Sequence, residues 1–195
     1  MTDAPSCSIL ILAGGQGSRM GGADKGLVQW RGKPMVSWVH GVARGLTDDL
    51  IISCNRNATI YRTYADQLVA DAEPGFAGPL AGIRAGLAVA RHASLLILPC
   101  DCPRIDSVLV RQLIDLAGVD PSRPVLCKRG EQFEPLFSVL PALLAPTIEQ
   151  AWANGERSLL RILLANSPSI LQLAPQDERL SNLNTPAELH TRSGN

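Results

Sequence analysis

Four short runs of the chain are almost continuously apolar: residues 8–13, 50–54, 95–99 and 124–127. Strict apolar–polar alternation is missing from them, which is how strands covered on both faces read. They predict a mainly parallel, buried sheet. Between the runs, apolar residues recur at helical spacing. Met35, Val39, Val42 and Leu46 follow Pro34, and Leu80, Ile83, Leu87 and Ala90 follow Pro79. Both prolines suit a first helical turn, where the missing N–H is no loss. A third helix is expected over residues 107–116. Beyond about residue 120 the pattern loosens: residues 134–140 predict a strand, 142–153 and 158–164 helices, and 170–173 a short apolar run. Thr185-Pro186-Ala187-Glu188 has the form of a capping box, with Pro186 at the first helical position of a closing helix.

Strand–helix alternation with right-handed crossovers gives a three-layer α/β/α sandwich of Rossmann-like type, its mainly parallel sheet carrying an antiparallel strand. Ligands of such sheets bind at the carboxyl ends of the strands. With 195 residues, 46% of them hydrophobic, residues 1–195 are read as a single domain with its own core. Lys plus Arg equals Asp plus Glu at 18 each. A net charge of zero argues against a general grip on nucleic acid or an anionic membrane, so any phosphate binding must be local. No secretory leader pattern and no membrane-length apolar segment is found, and the expected location is the cytoplasm. The five cysteines lack paired Cys-x-x-Cys spacing, which supports neither a disulfide framework nor a zinc site.

The chemistry concentrates where the first apolar run ends. Leu12-Ala13-Gly14-Gly15-Gln16-Gly17-Ser18-Arg19-Met20-Gly21-Gly22-Ala23-Asp24-Lys25-Gly26 combines six glycines with two cations. Glycines let several backbone N–H groups face one concavity, and Arg19 and Lys25 bring formal charge to phosphates gathered there. A plain surface turn needs one or two glycines only. It is not a Walker A loop, because Lys25 is flanked by Asp24 and Gly26. Nor does it fit the dinucleotide fingerprint, because Met20 stands where the third glycine belongs.

Three further segments carry candidate groups. Pro99-Cys100-Asp101-Cys102-Pro103 follows another apolar run, and Asp101 there either caps a turn or holds a hard divalent cation such as Mg²⁺. Gly78-Pro79-Leu80-Ala81-Gly82 is a helix start whose free N–H groups can meet an anion. Asn182-Leu183-Asn184-Thr185-Pro186 reads first as a helix cap.

The run from Leu12 to Lys25 resembles the signature of the nucleotidyltransferases of the sugar-nucleotide-synthesising type, most closely the molybdenum cofactor guanylyltransferases. Their cytidylyl- and sugar-activating relatives typically carry Leu-Ala-Ala-Gly where this chain has Leu12-Ala13-Gly14-Gly15. The resemblance implies that Leu12, Ala13, Gly14, Gly15, Lys25, Asn55, Asp71, Gly78, Gly82 and Asp101 bind the nucleotide. It implies Gly22, Arg157, Asn182 and Asn184 for the acceptor, and Arg19, Lys25 and Asp101 for catalysis, with Mg²⁺ on Asp101. The resemblance puts Asn55 near the guanine, although the family often has an Asn two positions earlier, at Ser53 here. A solvated helix-start role for Arg157 is equally compatible with the residues themselves.

The implied reaction transfers GMP from GTP to the terminal phosphate of Mo-molybdopterin, giving the guanine dinucleotide cofactor and pyrophosphate. No general base is needed, since a terminal phosphate is largely ionised at neutral pH, and His40, His92 and His190 have no nucleophile beside them in the sequence. The expected partners are these two substrates and, transiently, cofactor-inserting chaperones or recipient molybdoenzymes; the expected state is a monomer. A cytidylyltransferase, a sugar-phosphate nucleotidyltransferase and a non-catalytic nucleotide-binding module are the alternatives.

Overall fold

A computed structural model describes residues 7–14, 23–71 and 78–183. Its centre is a seven-stranded sheet built from β1 (Ser8–Leu12), β4 (Leu50–Ser53), β5 (Gln67–Val69), β6 (Ser94–Pro99), β7 (Val125–Arg129), β8 (Gln132–Pro141) and β9 (Ser169–Leu173). The strand order is β5-β4-β1-β6-β8-β7-β9. All run in one direction except β8, which is antiparallel to both β6 and β7. The expected mainly parallel sheet with one reversed strand is therefore present. Two short strands, β2 (Gln29–Trp30) and β3 (Lys33–Pro34), form a separate hairpin.

Although the strands read as solid apolar runs, their side chains divide by alternation between two cores. Ile9 and Ile11 of β1, with Leu96 and Leu98 of β6, face α1 (Met35–Ala43) and α4 (Ser107–Val119). Leu10, Leu95 and Ile97 face α3 (Pro79–Val89), α5 (Ala145–Ala153) and α6 (Leu159–Ala165). The sandwich thus has helices on both faces. α3 approaches the sheet closely, because a Cβ on Gly86 would lie 2.7 Å from Leu10 Cδ2 and one on Gly82 would overlap Ser53 Oγ.

Several elements differ from the sequence expectation. α1 stops at Ala43, before Gly45, and Leu46 reaches the core from the following turn. α4 runs on to Val119, opened by the Asp106 carboxylate accepting from Leu109 N at 2.8 Å. The helix expected from residue 142 begins as a 3₁₀ turn over Ala142–Leu144. β5, the short α2 (Ala58–Tyr61) and the β2–β3 hairpin were not expected. The hairpin turns through Arg31 and Gly32, both at positive φ (49° and 77°), the geometry of a two-residue hairpin turn. In β8 the register slips opposite Leu126/Cys127, so that Pro135, which has no N–H to donate, sits within the irregular stretch. The closing helix expected at Pro186 lies outside the described residues.

Candidate active site

The carboxyl ends of β1, β4, β5 and β6 lie along one edge of the sheet, and Lys25, Asn55, Asp71 and Asp101 are found there. β1 leaves the sheet at Leu12, whose carbonyl accepts from Cys100 N at 3.1 Å, while Ala13 N donates to Ser53 O at 2.8 Å. These bonds hold the first residues of the glycine loop against the loops after β4 and β6. Lys25 Nζ lies 3.2 Å from Asp101 Oδ2, joining residues 76 positions apart. Asp101 is buried and Lys25 part-exposed, with side-chain exposures of 9% and 26%. A cation and a carboxylate are thereby presented together at the carboxyl edge of the sheet.

The nucleobase-side candidates form a second pair. Asn55 Nδ2 donates to Asp71 Oδ2 at 2.8 Å, and Asp71 N donates to Asn55 Oδ1 at 2.9 Å. This reciprocal pair bridges the ends of β4 and β5. Gly14 sits against it, since a Cβ there would be 3.3 Å from Asn55 Nδ2. Ser53, where the family often has Asn, is instead buried inside the fold next to Gly82, and Asn55 holds the exposed position at the edge. Gly78, at φ +87°, precedes α3, whose first turn carries Pro79.

The acceptor-side candidates divide. The Asn182 side chain accepts from Cys102 Sγ at 3.0 Å and Leu183 N donates to Asp101 O at 2.9 Å, so Asn182 stands beside the Asp101 loop. Arg157 lies on the link between α5 and α6. Its guanidinium stacks 3.7 Å from the centre of the Trp152 ring and donates to the Trp152 and Glu156 carbonyls, both at 2.9 Å. Gly15, Arg19, Gly22 and Asn184 lie outside the described residues.

One group at this edge carried no role in the sequence reading. Asp24, immediately before Lys25, accepts from Tyr61 Oη at 2.5 Å and from Asn57 Nδ2 at 2.9 Å, and Arg56 Nε lies 4.0 Å from its Oδ2. Its neighbour Ala23 accepts from Arg56 Nη2 at 3.2 Å. Asp24 was visible in the motif, but nothing in the sequence could indicate that its carboxylate meets a tyrosine 37 positions away.

The donors at this edge are oxygen and ammonium rather than sulfur. Cys100 and Cys102 flank Asp101, and burial, followed by the adjacent Asp101 carboxylate, raises both thiols well above their ordinary range. Their surroundings do not activate either one as a thiolate. Among the described residues no cluster of three His, Cys, Asp or Glu side chains forms a ready-made cage. Asp101 is a hard oxygen donor of the kind Mg²⁺ takes, one or two per ion with phosphate oxygens and water completing the shell.

Helices on both faces of a mainly parallel sheet, with a lysine–carboxylate pair at its carboxyl edge, place the chain among the α/β proteins that bind their ligands at that edge. The model of the MobA-like NTP transferase domain matches residues 9–170. Molybdenum cofactor guanylyltransferases of Pseudomonas aeruginosa (strain LESB58) and Pseudomonas putida (strain F1) are 57% and 55% identical to it. They cover 93% and 97% of this chain, and the matches span 92% and 99% of those proteins. The chain belongs to the MobA-like NTP transferase family, among the molybdenum cofactor guanylyltransferases, and is a nucleotidyltransferase enzyme. Solved structures show the same fold at lower identity. Molybdopterin-guanine dinucleotide biosynthesis protein A of Archaeoglobus fulgidus superposes with a TM-score of 0.74 at 22% identity, covering 93% of this chain and 94% of that one. The 2-C-methyl-D-erythritol 4-phosphate cytidylyltransferase of Thermus thermophilus gives 0.70 at 15%, covering 94% and 95%. A Mycobacterium tuberculosis protein solved as a complex with manganese gives 0.65 at 19%, covering 88% of each chain. Among the described residues no helix is long and apolar enough to cross a membrane.

Proposed function

We propose that this nucleotidyltransferase transfers GMP from GTP to the terminal phosphate of Mo-molybdopterin. An acceptor phosphate oxygen bonds to the α-phosphorus of GTP, the bond from that phosphorus to the α–β bridging oxygen breaks, and the electron pair leaves with pyrophosphate. The observation that carries the reading is the Lys25–Asp101 pair, 3.2 Å apart at the carboxyl edge of the sheet. The relatives named above support the guanylyl choice and the molybdenum cofactor as acceptor.

The nucleophile brings its own charge, so the protein's work is positioning and charge neutralisation. Lys25 reaches the triphosphate oxygens on which negative charge builds as pyrophosphate departs. Asn55 and Asp71 present a donor and acceptors for the edge of a guanine, and Gly14 leaves space beside them. Asn182 and Arg157 serve the acceptor, the first from beside Asp101 and the second from its stack on Trp152. Asp101 suits Mg²⁺ as a hard oxygen ligand, and a bound ion would supply Lewis-acid neutralisation of phosphate charge.

Pyrophosphate release from GTP, CTP and UTP, each with its matching acceptor, tests the assignment. GTP with Mo-molybdopterin is expected to be preferred, and preference for CTP would overturn the guanylyl reading. Transfer is also expected to stop when Mg²⁺ is removed with a chelator and to return when it is restored.

A further inference from the structure

Lys25 can act on a triphosphate only if its ammonium is held where the phosphates arrive, yet a lysine stem is flexible. The backbone on either side of it is fixed with unusual completeness. On one side, Asp24 has a side chain only 7% exposed, with both carboxylate oxygens engaged by Tyr61 and Asn57 and with Arg56 alongside. The Asp24 carbonyl accepts from Leu27 N at 3.0 Å and Val28 N at 3.2 Å, closing the 3₁₀ turn Lys25–Leu27. Asp24 stands at the cap of that turn, but its side chain makes no capping bond to it, turning instead to the segment after β4. On the other side, Gly26 is buried so tightly that a Cβ would overlap Tyr61 Oη and lie 3.3 Å from Cys100 Sγ. Tyr61 thus grips the chain on both sides of Lys25.

The far end of this clamp is the segment that carries the nucleobase candidate. Arg56 and Asn57 directly follow Asn55, and Asn57 adopts a left-handed conformation (φ 55°) that turns its amide to Asp24. Burial, with the Cys100 thiol and then the Asp24 bond behind it, raises the Tyr61 phenol, so it remains a hydrogen-bond donor.

We infer that Asp24 is a positioning residue for Lys25: through Tyr61 and Asn57 its carboxylate fixes the lysine toward the triphosphate and ties it to the segment bearing Asn55. The inference rests on the proposed role of Lys25 at the triphosphate. It is tested by binding of GTP and of GMP, which share the base and ribose but differ in the β- and γ-phosphates. The full-length chain is compared with Asp24→Asn, Lys25→Ala and the double variant, by calorimetry with thermal unfolding alongside. Lys25→Ala is expected to weaken GTP about tenfold or more, and Asp24→Asn about fivefold, with GMP affected less than about twofold by either. In the Lys25→Ala background Asp24→Asn should add almost nothing, because the group it positions is gone. If Asp24→Asn does not fold, Tyr61→Phe takes its place, since it removes one hydrogen bond and leaves the carboxylate.

Equal weakening of GTP and GMP, an undiminished effect without Lys25, or no effect at all would overturn the positioning role while leaving the reading of Lys25 intact. Unchanged GTP affinity in Lys25→Ala would overturn that reading, and the inference with it.

Discussion

Asp101 and Asp49 are both buried acidic residues, one at each edge of the sheet. Asp49 precedes β4 at the amino edge and is fully enclosed. Its carboxylate accepts from Ser8 Oγ at 2.5 Å, Gln67 Nε2 at 2.7 Å and Arg91 N at 2.8 Å, and pairs with Arg91 Nε at 3.0 Å. A carboxylate has room for about four such partners, so Asp49 is saturated. It joins the start of β1, β5 and the link from α3 to β6. Asp101, among the described residues, has one cation at 3.2 Å and a thiol at 3.9 Å. In the proposed function its other acceptor positions serve the metal and substrate. The same side chain serves cohesion where its partners come from the fold and chemistry where they are left to come from a ligand.

Exchanging the two residues' neutral forms separates those roles. Asp101→Asn should lower transfer by about a hundredfold or more, the scale seen when one preorganised electrostatic group is lost, with little change in unfolding temperature. Asp49→Ala should do the reverse. It strands Ser8, Gln67 and Arg91 donors and costs about 3 kcal/mol, which for a chain of this size lowers the midpoint by about 10 °C. Transfer per folded molecule should persist. Thermal unfolding and steady-state pyrophosphate release on both variants check this, and the contrast breaks if Asp49→Ala impairs transfer as severely as Asp101→Asn does.

Acid sharpens the same point. Burial alone would raise the Asp49 carboxyl, but the bonds from Ser8, Arg91 and Gln67 outweigh it and hold the group below the ordinary carboxylate range. A depressed folded-state value means that the stabilisation is complete above the unfolded value of about 4 and is lost as pH falls below it toward the folded value. The wild-type midpoint should therefore decline on acidification below about pH 4 more steeply than that of Asp49→Asn, which has no proton to take up there.

What the sequence disclosed follows from the range of each interaction. The parallel strands and major helices were legible because continuous apolar runs and helical spacing are local signals, and the glycine loop and Asp101 because both directly follow such runs. β5 was missed because Gln67-Leu68-Val69 is short and only half-buried, and the β2–β3 hairpin because the turn signal was a single glycine, Gly32. The clamp on Asp24 was beyond reach for another reason. Its partners Asn57 and Tyr61 are fixed by the path of the chain after β4, and no periodicity records that. Asn182 could be named from its motif, but its contact with Cys102 depends on the whole segment folding back beneath Asp101.

The smallest expected effects concern the helices on the two faces of the sheet. In α3, Gly86 lies against Leu10 of β1, and a Cβ would come to 2.7 Å and 3.0 Å from its two methyl carbons. Leu10 is fully buried and cannot retreat without displacing its neighbours. Gly86→Ala should therefore cost about 2 kcal/mol, overpacking outweighing the better helix propensity of alanine. In α1, on the opposite face, a Cβ on Gly41 meets nothing within 4 Å. There the propensity term acts alone, and Gly41→Ala should stabilise the chain by about 0.5–1 kcal/mol through the reduced freedom of the unfolded state. Urea titration of both variants distinguishes the cases. Opposite shifts of the midpoint at constant slope would establish that α3 is held at its distance from β1 by glycine.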